Sequence, residues 1–171
     1  MQREPVTPLA ELQWTETPAI VEFVHAELDL LDQRRFEEWI DLYTADGVYF
    51  APVAPDQASS LDHVSLFYDD VPTMRLRATR LRHPRIHVQD PPSRTVHIVS
   101  SFRNFVQDNA GGVTFRCNFV LFEYRQTQGQ RLYGGTYTYK LRQEELRWRI
   151  AAKTAALINS DDMFPSLAIW F

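Results

Sequence analysis

Residues 90–157 have the sequence DPPSRTVHIVSSFRNFVQDNAGGVTFRCNFVLFEYRQTQGQRLYGGTYTYKLRQEELRWRIAAKTAAL, and this stretch decides the fold. It contains four long segments that alternate apolar and polar side chains, the pattern typical of half-buried β-strands. Short polar turns separate the segments at 108–113, 126–130 and 143–145, and Asn and Gly adopt turn conformations at low cost. Because short connections join antiparallel neighbours, the stretch predicts a four-stranded antiparallel meander.

The predicted strands are longer than usual and have defined faces. Each spans about ten residues or more, against a usual five or six, which indicates a strongly twisted and curved sheet. The first strand is expected to place Val96, Ile98 and Phe102 on one side. The second alternates through Phe115, Cys117, Phe119 and Leu121, and the last repeats on one face through Leu146, Trp148, Ile150, Ala152, Thr154, Ala156 and Ile158. The Gly134–Gly135 pair predicts a bulge or a close backbone approach inside its strand.

The preceding part of the chain predicts helices. Thr17 and Pro18 favour a helix start, because a hydroxyl caps the helix and proline suits its first position. The first helix then carries one apolar face, formed by Ile20, Phe23, Val24, Leu28 and Leu31. A second helix is predicted from the spacing of Phe36, Trp39, Ile40 and Tyr43, ending at Asp46–Gly47 before an extended run at 48–53.

A third helix is predicted to begin at Ser59 or Ser60 and to include Val64, Leu66, Phe67 and Tyr68. Pro72 interrupts it, and residues 73–81 predict one further helical stretch. Residues 1–14 are interpreted as an extended arm and residues 54–60 as a loop. Helices first and sheet afterwards indicate an α+β fold: one domain over residues 1–171, a cone whose helices pack on one face of a curved antiparallel sheet.

Composition excludes several classes of protein. The chain has 171 residues, 44% hydrophobic and 13% aromatic, which is too apolar for a disordered chain. No apolar run approaches the roughly 18 residues of a membrane span, and the amino terminus lacks the pattern of a signal peptide, so we expect a cytoplasmic protein. The net charge of −4 gives no indication of a nucleic-acid partner. The single cysteine, Cys117, excludes an internal disulfide framework and a multi-cysteine metal site.

A cone closed by helices encloses a pocket, and a pocket lined by a few polar groups is a default binding site. The candidate pocket residues are Asp46, Tyr49, His63, Tyr68, Asp69, Asp70 and His97. A histidine paired with a carboxylate there would serve as general acid and base for dehydration or isomerisation. The competing interpretation makes His97 a structural histidine bonded to a neighbouring carbonyl, and Asp69–Asp70 a helix-end marker.

His83, His87 and Asp90 would supply two imidazoles and a carboxylate to a metal site. Pro84 and Pro91 favour an extended backbone there, and in a strand residues four apart are separated by roughly 13 Å, too far to share one ion. Ser93 lacks the flanking glycines of a nucleophile elbow. The sequence therefore predicts no metal, cofactor or nucleophile site in this chain.

Arginine dominates the basic residues and is concentrated in the middle of the chain. Only Lys140 and Lys153 of the eighteen basic residues are lysine. Six arginines lie between residues 75 and 94: Arg75, Arg77, Arg80, Arg82, Arg85 and Arg94. Because arginine forms planar, bidentate contacts and tolerates partial burial, this bias favours a protein–protein surface. Codon usage would produce the same preference.

Several stretches, in order along nearly the whole chain, resemble the small (beta) subunit of bacterial aromatic-ring-hydroxylating dioxygenases. They are residues 27–32 (ELDLLD), 36–39 (FEEW), Asp46 and Tyr49 leading to Pro52, 65–70 (SLFYDD), 77–81 (RATRL), 91–97 (PPSRTVH) and 153–161 (KTAALINSD). The resemblance implies the cone fold that this family shares with nuclear transport factor 2, scytalone dehydratase and steroid isomerase. Since that fold hosts unrelated functions, it does not select one by itself.

The resemblance also implies a role in a larger assembly of three large (alpha) and three small subunits, with the small subunits associating as a trimer. The large subunit of this family carries a Rieske 2Fe–2S cluster and a mononuclear iron, so no catalytic residue is assigned here. Arg77, Arg80, Arg94 and His97 are the candidate subunit-contact residues, unless they pair with acidic neighbours within the chain. Two alternatives remain: a stand-alone dehydratase or isomerase using Asp46, Tyr49, Tyr68 or His97, and a homo-oligomeric module that binds a small molecule.

Overall fold

The computed structural model describes residues 17–54, 57, 64–82, 91–126, 128–162, 164, 167 and 169–171. The predicted arm at 1–14, most of the predicted loop at 54–60, and His63, His83, His87 and Asp90 lie outside these residues. The helices are α1 (Thr17–Asp32), α2 (Phe36–Ile40) and α3 (Val71–Leu81). The strands are β1 (Tyr43–Ala51), β2 (Phe67–Asp70), β3 (Arg94–Gln107), β4 (Val113–Arg125), β5 (Gly129–Glu144) and β6 (Arg147–Leu157).

The strands form one curved, unclosed sheet in the order β2-β1-β6-β5-β4-β3. The predicted meander is confirmed, because β3 to β6 pair antiparallel with their neighbours and contain 14, 13, 16 and 11 residues. The α+β fold class is confirmed as well. The sheet is mixed rather than wholly antiparallel, since β1 pairs parallel with β6. A parallel neighbour is reached only through a long crossover, which leaves no local turn signal in the sequence.

Two predicted helix boundaries were wrong. Phe67 and Tyr68 belong to strand β2, where burial alternates between Phe67 inside and Tyr68 outside, instead of to a third helix. The second helix ends at Ile40, and Asp46–Gly47 lies inside β1. The register of β1 against β6 shifts between Tyr43 and Val48, so Gly47 occupies a bulge, where an added Cβ would lie 2.9 Å from the carbonyl oxygen of Ile150.

The predicted face of β3 was also wrong. Val96 and Ile98 are exposed on the outer face of the sheet, whereas Phe102 packs on the inner face against Phe115, with ring centroids 6.2 Å apart. The register shifts twice beyond Ser100, where Ser101 and Asn104 have φ of 56° and 58°. Each extra residue of a bulge inverts the faces of the residues that follow it, and a strict two-residue alternation misses this.

A similar change of face occurs in β6. Ile150 is buried as predicted, but Ala151 is buried too, at the register shift between Lys140 and Leu141 of the neighbouring strand. The inner face beyond this point consists of Lys153, Ala155 and Leu157, so the predicted face of Ala152, Thr154 and Ala156 was wrong. This shift places a lysine in the centre of the cone.

The helices and the inner sheet face enclose one core. Ile20, Val24, Leu28 and Leu31 of α1 are buried, which confirms the predicted helical face. Phe115, Cys117, Phe119 and Leu121 are buried too, which confirms the predicted face of the second strand of the meander. No helix in the described part of the chain has the length and apolarity needed to span a membrane.

Candidate functional site

The centre of the cone holds a buried ion pair between Glu27 of α1 and Lys153 of β6. Lys153 Nζ lies 2.8 Å from Glu27 Oε1, and both side chains are fully buried. Trp39 Nε1 donates to the same carboxylate oxygen at 2.5 Å, and the Tyr139 hydroxyl donates to Oε2 at 2.9 Å. The carboxylate therefore accepts three hydrogen bonds from three different elements, α2, β5 and β6.

Aromatic rings surround the lysine end of this pair. The ammonium lies 4.3 Å from the centroid of Tyr137 and 5.4 Å from that of Tyr139, which adds cation–π attraction. Burial lowers the pKa of Lys153, and the Glu27 carboxylate opposes that shift. Burial also raises the pKa of Tyr137 and Tyr139 well above the ordinary tyrosine value. The pair is buried from solvent, and each side chain is bonded to the other. It therefore has a structural role and is not positioned for acid–base catalysis.

The segment 169–171, named the plug below, packs into the core of the cone. Its three residues, Ile169, Trp170 and Phe171, are all buried. The Trp170 ring lies 4.9 Å from that of Trp39, and the Phe171 ring lies 5.2 Å from that of Tyr133. Aromatic pairs at these separations attract beyond the effect of burial alone. The plug thus occupies the space that an open cone would offer to a ligand.

Polar contacts fix the plug in place. The Tyr49 hydroxyl donates to the Phe171 carbonyl oxygen at 3.2 Å and accepts from the Phe171 amide at 2.9 Å. The indole Nε1 of Trp170 donates to Asp69 Oδ2 at 3.1 Å. Arg77 in turn donates to both oxygens of Asp69, at 2.7 and 2.9 Å. Tyr49 and Asp69 were predicted as pocket residues, and both bind the chain's own segment.

His97 of β3 is paired with Asp32, the last residue of α1. Its Nδ1 lies 2.6 Å from Asp32 Oδ1, and its backbone amide donates to Asp32 Oδ2 at 2.9 Å. The imidazole is only 1% exposed. Burial acts to raise the pKa of Asp32, but the hydrogen bonds and charge of His97 outweigh it, and the net effect is a lowered pKa. The partner of His97 is therefore a carboxylate and not a backbone carbonyl.

Two spaces adjoin this pair. A small pocket of about 10 Å³, the size of one water molecule, touches His97, Ser93 and Trp170. An open groove of about 310 Å³ runs between α1 and β3 past Glu22, Asp29 and Asp32. His97 Nε2 has no hydrogen-bond partner among the described residues. The cavity is too small for an organic substrate, so the histidine–carboxylate pair has no reactant within reach on that side.

The four residues of the alternative catalytic hypothesis do not converge. Asp46 is exposed and binds Arg142 at 2.9 Å, and Tyr49 is buried against the plug. Tyr68 is exposed on β2, whereas His97 lies on β3, and these strands form opposite edges of the sheet. Asp70 accepts a hydrogen bond from the Thr73 amide at 2.9 Å and caps α3, as the helix-end interpretation predicts.

Of the four subunit-contact candidates, two are bonded to carboxylates within the chain and two are exposed. Arg77 and His97 are engaged within the chain, by Asp69 and Asp32 respectively. Arg80 is exposed in the last turn of α3, and Arg94 is exposed with its guanidinium 4.9 Å from the Tyr124 ring centroid. Ser93 donates to Glu123 at 2.6 Å and is buried, which is a structural contact.

Sequence reasoning missed the central pair, although one signal for it was present. Glu27 lies on the same helical face as Ile20, Val24, Leu28 and Leu31, so its position alone indicated a buried carboxylate in need of a cation.

No group of three histidine, cysteine or acidic residues within the described ranges is arranged to hold a metal ion. Burial raises the pKa of Cys117 to about 12, which keeps its thiol protonated and unreactive.

Sequence comparisons with known proteins agree on one family, and a structural comparison supports the fold. The family description "Ring hydroxylating beta subunit" matches residues 26–161. The small oxygenase component of the p-cumate 2,3-dioxygenase system of Pseudomonas putida is 33% identical over 142 residues, which cover 81% of this chain and 77% of the relative. The benzene 1,2-dioxygenase beta subunit of Pseudomonas putida is 27% identical over 99% of this chain and 94% of its own length. The solved beta subunit of benzoate 1,2-dioxygenase from Burkholderia mallei superposes with a TM-score of 0.69, at 24% identity, over 88% of this chain and 94% of that chain.

Proposed function

The chain belongs to the family of ring-hydroxylating dioxygenase beta subunits, and from this membership we propose that it is a non-catalytic subunit supporting assembly of the oxygenase. As a beta subunit it is one part of a hetero-oligomer that also contains an alpha subunit. The reaction of the whole complex is the dihydroxylation of an aromatic ring in the catabolism of aromatic compounds.

The filled interior of the cone is the observation that carries the proposal. A cone that binds and turns over a small molecule needs an open pocket with convergent polar groups. Here the Glu27–Lys153 pair and the plug are both buried in the interior. The hydrogen bonds of Tyr49 and Asp69 go to Phe171 and Trp170. The polar groups that would hold a substrate stabilise the chain itself, as expected for a scaffold.

The redox centres of the reaction do not fit this chain. A Rieske cluster is held by two cysteines and two histidines, and the chain has one cysteine, buried in β4. We therefore assign the Rieske 2Fe–2S cluster to the alpha subunit, and membership of the family supports assigning the mononuclear iron to it as well. The arrangement proposed for the complex is three alpha and three beta subunits. Arg80 and Arg94, which are exposed, are the proposed direct contacts, and Arg77 and His97 position the surfaces beside them.

The contacts of the Asp32–His97 pair favour a structural role over a catalytic one. Both carboxylate oxygens of Asp32 are used, one by the imidazole and one by the backbone amide of His97. The pair thus ties the end of α1 to the edge strand β3. Of the two spaces beside the pair, one is about 10 Å³ and the other is an open surface groove of about 310 Å³. These contacts favour the structural role over a dehydratase or isomerase.

Co-expression with the alpha subunit of the same oxygenase tests the proposal. We expect a stable complex, ring hydroxylation by that complex, and loss of assembled oxygenase when this chain is omitted. His97→Gln should leave the turnover of an assembled complex essentially unchanged, since the imidazole contacts no substrate. A chain that stays separate from the alpha subunit, or that turns over a substrate by itself, would show that the proposal is wrong.

A further inference from the structure

The edge strand β3 has the composition of a strand that would pair readily with another chain. Within the described part of the chain it forms one end of the sheet, and it contains 14 residues. Its segment 95–100, TVHIVS, is rich in β-branched residues and lacks proline, glycine and permanently charged side chains. A long edge of this kind is a template for strand addition. The opposite edge strand, β2, has only four residues and carries less of this risk.

The outward-facing backbone groups of this edge follow from the pairing of β3 with β4. Residues 94–100 pair with β4 in uninterrupted antiparallel register. In such a ladder, alternate residues turn both backbone groups toward the neighbouring strand or both away from it. The His97 amide bonds to Asp32 of α1 and not to β4. The residues that face away from the sheet in this segment are therefore Thr95, His97 and Val99.

Side chains from the end of α1 and from the turn after it occupy the first half of this edge. Asp32 Oδ2 accepts a hydrogen bond from the His97 amide at 2.9 Å, and Arg34 donates to the carbonyl oxygen of Ser93 at 3.3 Å. Ser93 lies four residues before His97, a multiple of the two-residue alternation, so in an extended backbone both face the same side. Because His97 is the middle one of the three outward-facing residues, an added strand would have to displace the Asp32 carboxylate.

The far end of β3 is irregular. Arg103 donates to the carbonyl oxygen of Ser101 at 2.8 Å. Ser101 and Asn104 have φ of 56° and 58°, and the register with β4 shifts on both sides of Arg103. Bulges twist an edge away from the straight geometry that a second strand needs. The regular edge is thus limited to residues 94–100, with a bonded side chain at its centre.

From these contacts we infer that Asp32, Arg34 and Arg103 form an edge guard, whose side chains keep β3 from adding an extended strand of another chain. The central element is the Asp32 carboxylate, because it holds an amide that an added strand would need. The imidazole of His97 positions this carboxylate through its bond to Oδ1 and does not itself cover the edge. The inference concerns the backbone edge of β3 and is independent of the proposed function.

Hydrogen exchange of the His97 amide, followed by NMR, tests the central contact. Asp32→Ala removes the acceptor of this amide, which should then exchange at least about tenfold faster than in the wild type, as for the loss of a hydrogen bond to a charged group. His97→Gln is the matched control, because it removes the imidazole and leaves the carboxylate beside the amide of residue 97. That amide should stay protected in the control. Equal exchange rates in the wild type and in a folded Asp32→Ala variant would overturn the role of Asp32.

A synthetic peptide with the sequence of residues 94–100, RTVHIVS, tests strand addition itself. Fluorescence anisotropy of the labelled peptide should show binding to Asp32→Ala that is at least about tenfold tighter than binding to the wild type or to His97→Gln. A peptide that is N-methylated throughout has no backbone donors and should bind none of these proteins. Gly135→Ala, two strands away in β5, is the control for lowered stability and should bind no better than the wild type.

Arg103→Ala tests the edge guard at a second position, and it decides the matter if circular dichroism shows that Asp32→Ala does not fold. This variant should also bind the peptide more tightly than the wild type. Wild-type binding as tight as that of the folded guard variants would overturn the inference, and so would the absence of binding by those variants. Binding by Gly135→Ala as tight as that of the guard variants would overturn it too, because lowered stability would then be enough to open the edge.

Discussion

Lys153 and Glu27 are 126 positions apart in the sequence, and their charged groups lie 2.8 Å apart at the centre of the cone. The pair joins the first helix to the last strand, and the hydrogen bonds of Trp39 and Tyr139 complete it. A buried pair of this kind contributes little net stability compared with well-packed apolar residues, but breaking it leaves an uncompensated buried charge. It therefore acts as a constraint on which face of β6 points inward.

Removal of one member of the pair should destabilise the protein strongly. Glu27→Leu leaves the ammonium of Lys153 buried without a counter-ion, and we expect the free energy of unfolding to fall by about 3–5 kcal/mol. The double variant Glu27→Leu, Lys153→Met should recover most of that loss, because it removes both charges and keeps apolar volume. Urea denaturation followed by circular dichroism measures both effects. Asp46→Asn, which breaks the exposed pair with Arg142, is the control and should be close to wild type. Equal stabilities for the single and double variants would contradict this account of Lys153.

The Asp32–His97 contact should make stability depend on pH in the acid range. The pKa of Asp32 is lowered in the folded chain, below the ordinary value of 3.8. Its ionised form therefore stabilises the fold fully above that ordinary pKa, and the contribution is lost as pH falls through the lower folded pKa. The difference in free energy of unfolding between wild type and Asp32→Asn should shrink as pH falls below about 4. The control is Asp29→Asn, at an exposed carboxylate that forms no ion pair with another described residue. A difference that stayed constant across this range would contradict the assignment.

The fold was largely predictable from local patterns, whereas the faces of two strands were not. The four-strand meander and the face of α1 follow from periodicity and turn residues, which are local properties. The bulges near Ser101 and at Ala151 are set by pairing with neighbouring strands, and they invert every position that follows. The predicted pocket residues Tyr49 and Asp69 lie in the interior as expected, but the plug that engages them is more than 100 residues away in sequence. Residue-type patterns carry no information about such a pairing.

The plug should stabilise the folded protein, and a ligand of similar shape should be able to take the place of the Trp170 side chain. Trp170→Ala removes a ring packed on Trp39 and Phe36, and we expect it to lower the free energy of unfolding by about 3–5 kcal/mol. Trp170→Phe keeps an aromatic ring but loses the hydrogen bond to Asp69, whose Oδ2 still accepts from Arg77. It should cost about 1.5–3 kcal/mol, the contribution of one hydrogen bond to a charged group. Indole added to Trp170→Ala should raise its melting temperature, because a ligand that binds only the folded state stabilises it.

The matched control for that experiment is the wild type, whose cone is filled and whose melting temperature should not respond to indole. A wild-type response as large as that of the variant would mean that indole binds elsewhere. It would also weaken the interpretation of the cone as a filled scaffold.

Neighbouring glycines in β5 provide the sharpest test of the sheet geometry. A Cβ added at Gly135 would lie 2.0 Å from the carbonyl oxygen of Ala156, whereas at Gly134 the nearest atom is the Phe119 carbonyl oxygen at 3.6 Å. Gly135→Ala must therefore push β5 away from β6, and we expect it to lower the free energy of unfolding by at least about 1–3 kcal/mol. Gly134→Ala differs by one position and meets ordinary van der Waals contact, so it should be tolerated. Gly134 lies opposite Val120 on the neighbouring strand β4, so the two alanine variants compare a tight backbone contact with an ordinary one. Gly135→Ala should unfold at lower urea concentration, and Gly134→Ala should unfold with the wild type. Equal urea midpoints for the two alanine variants would contradict the close approach of β5 to β6 at Ala156.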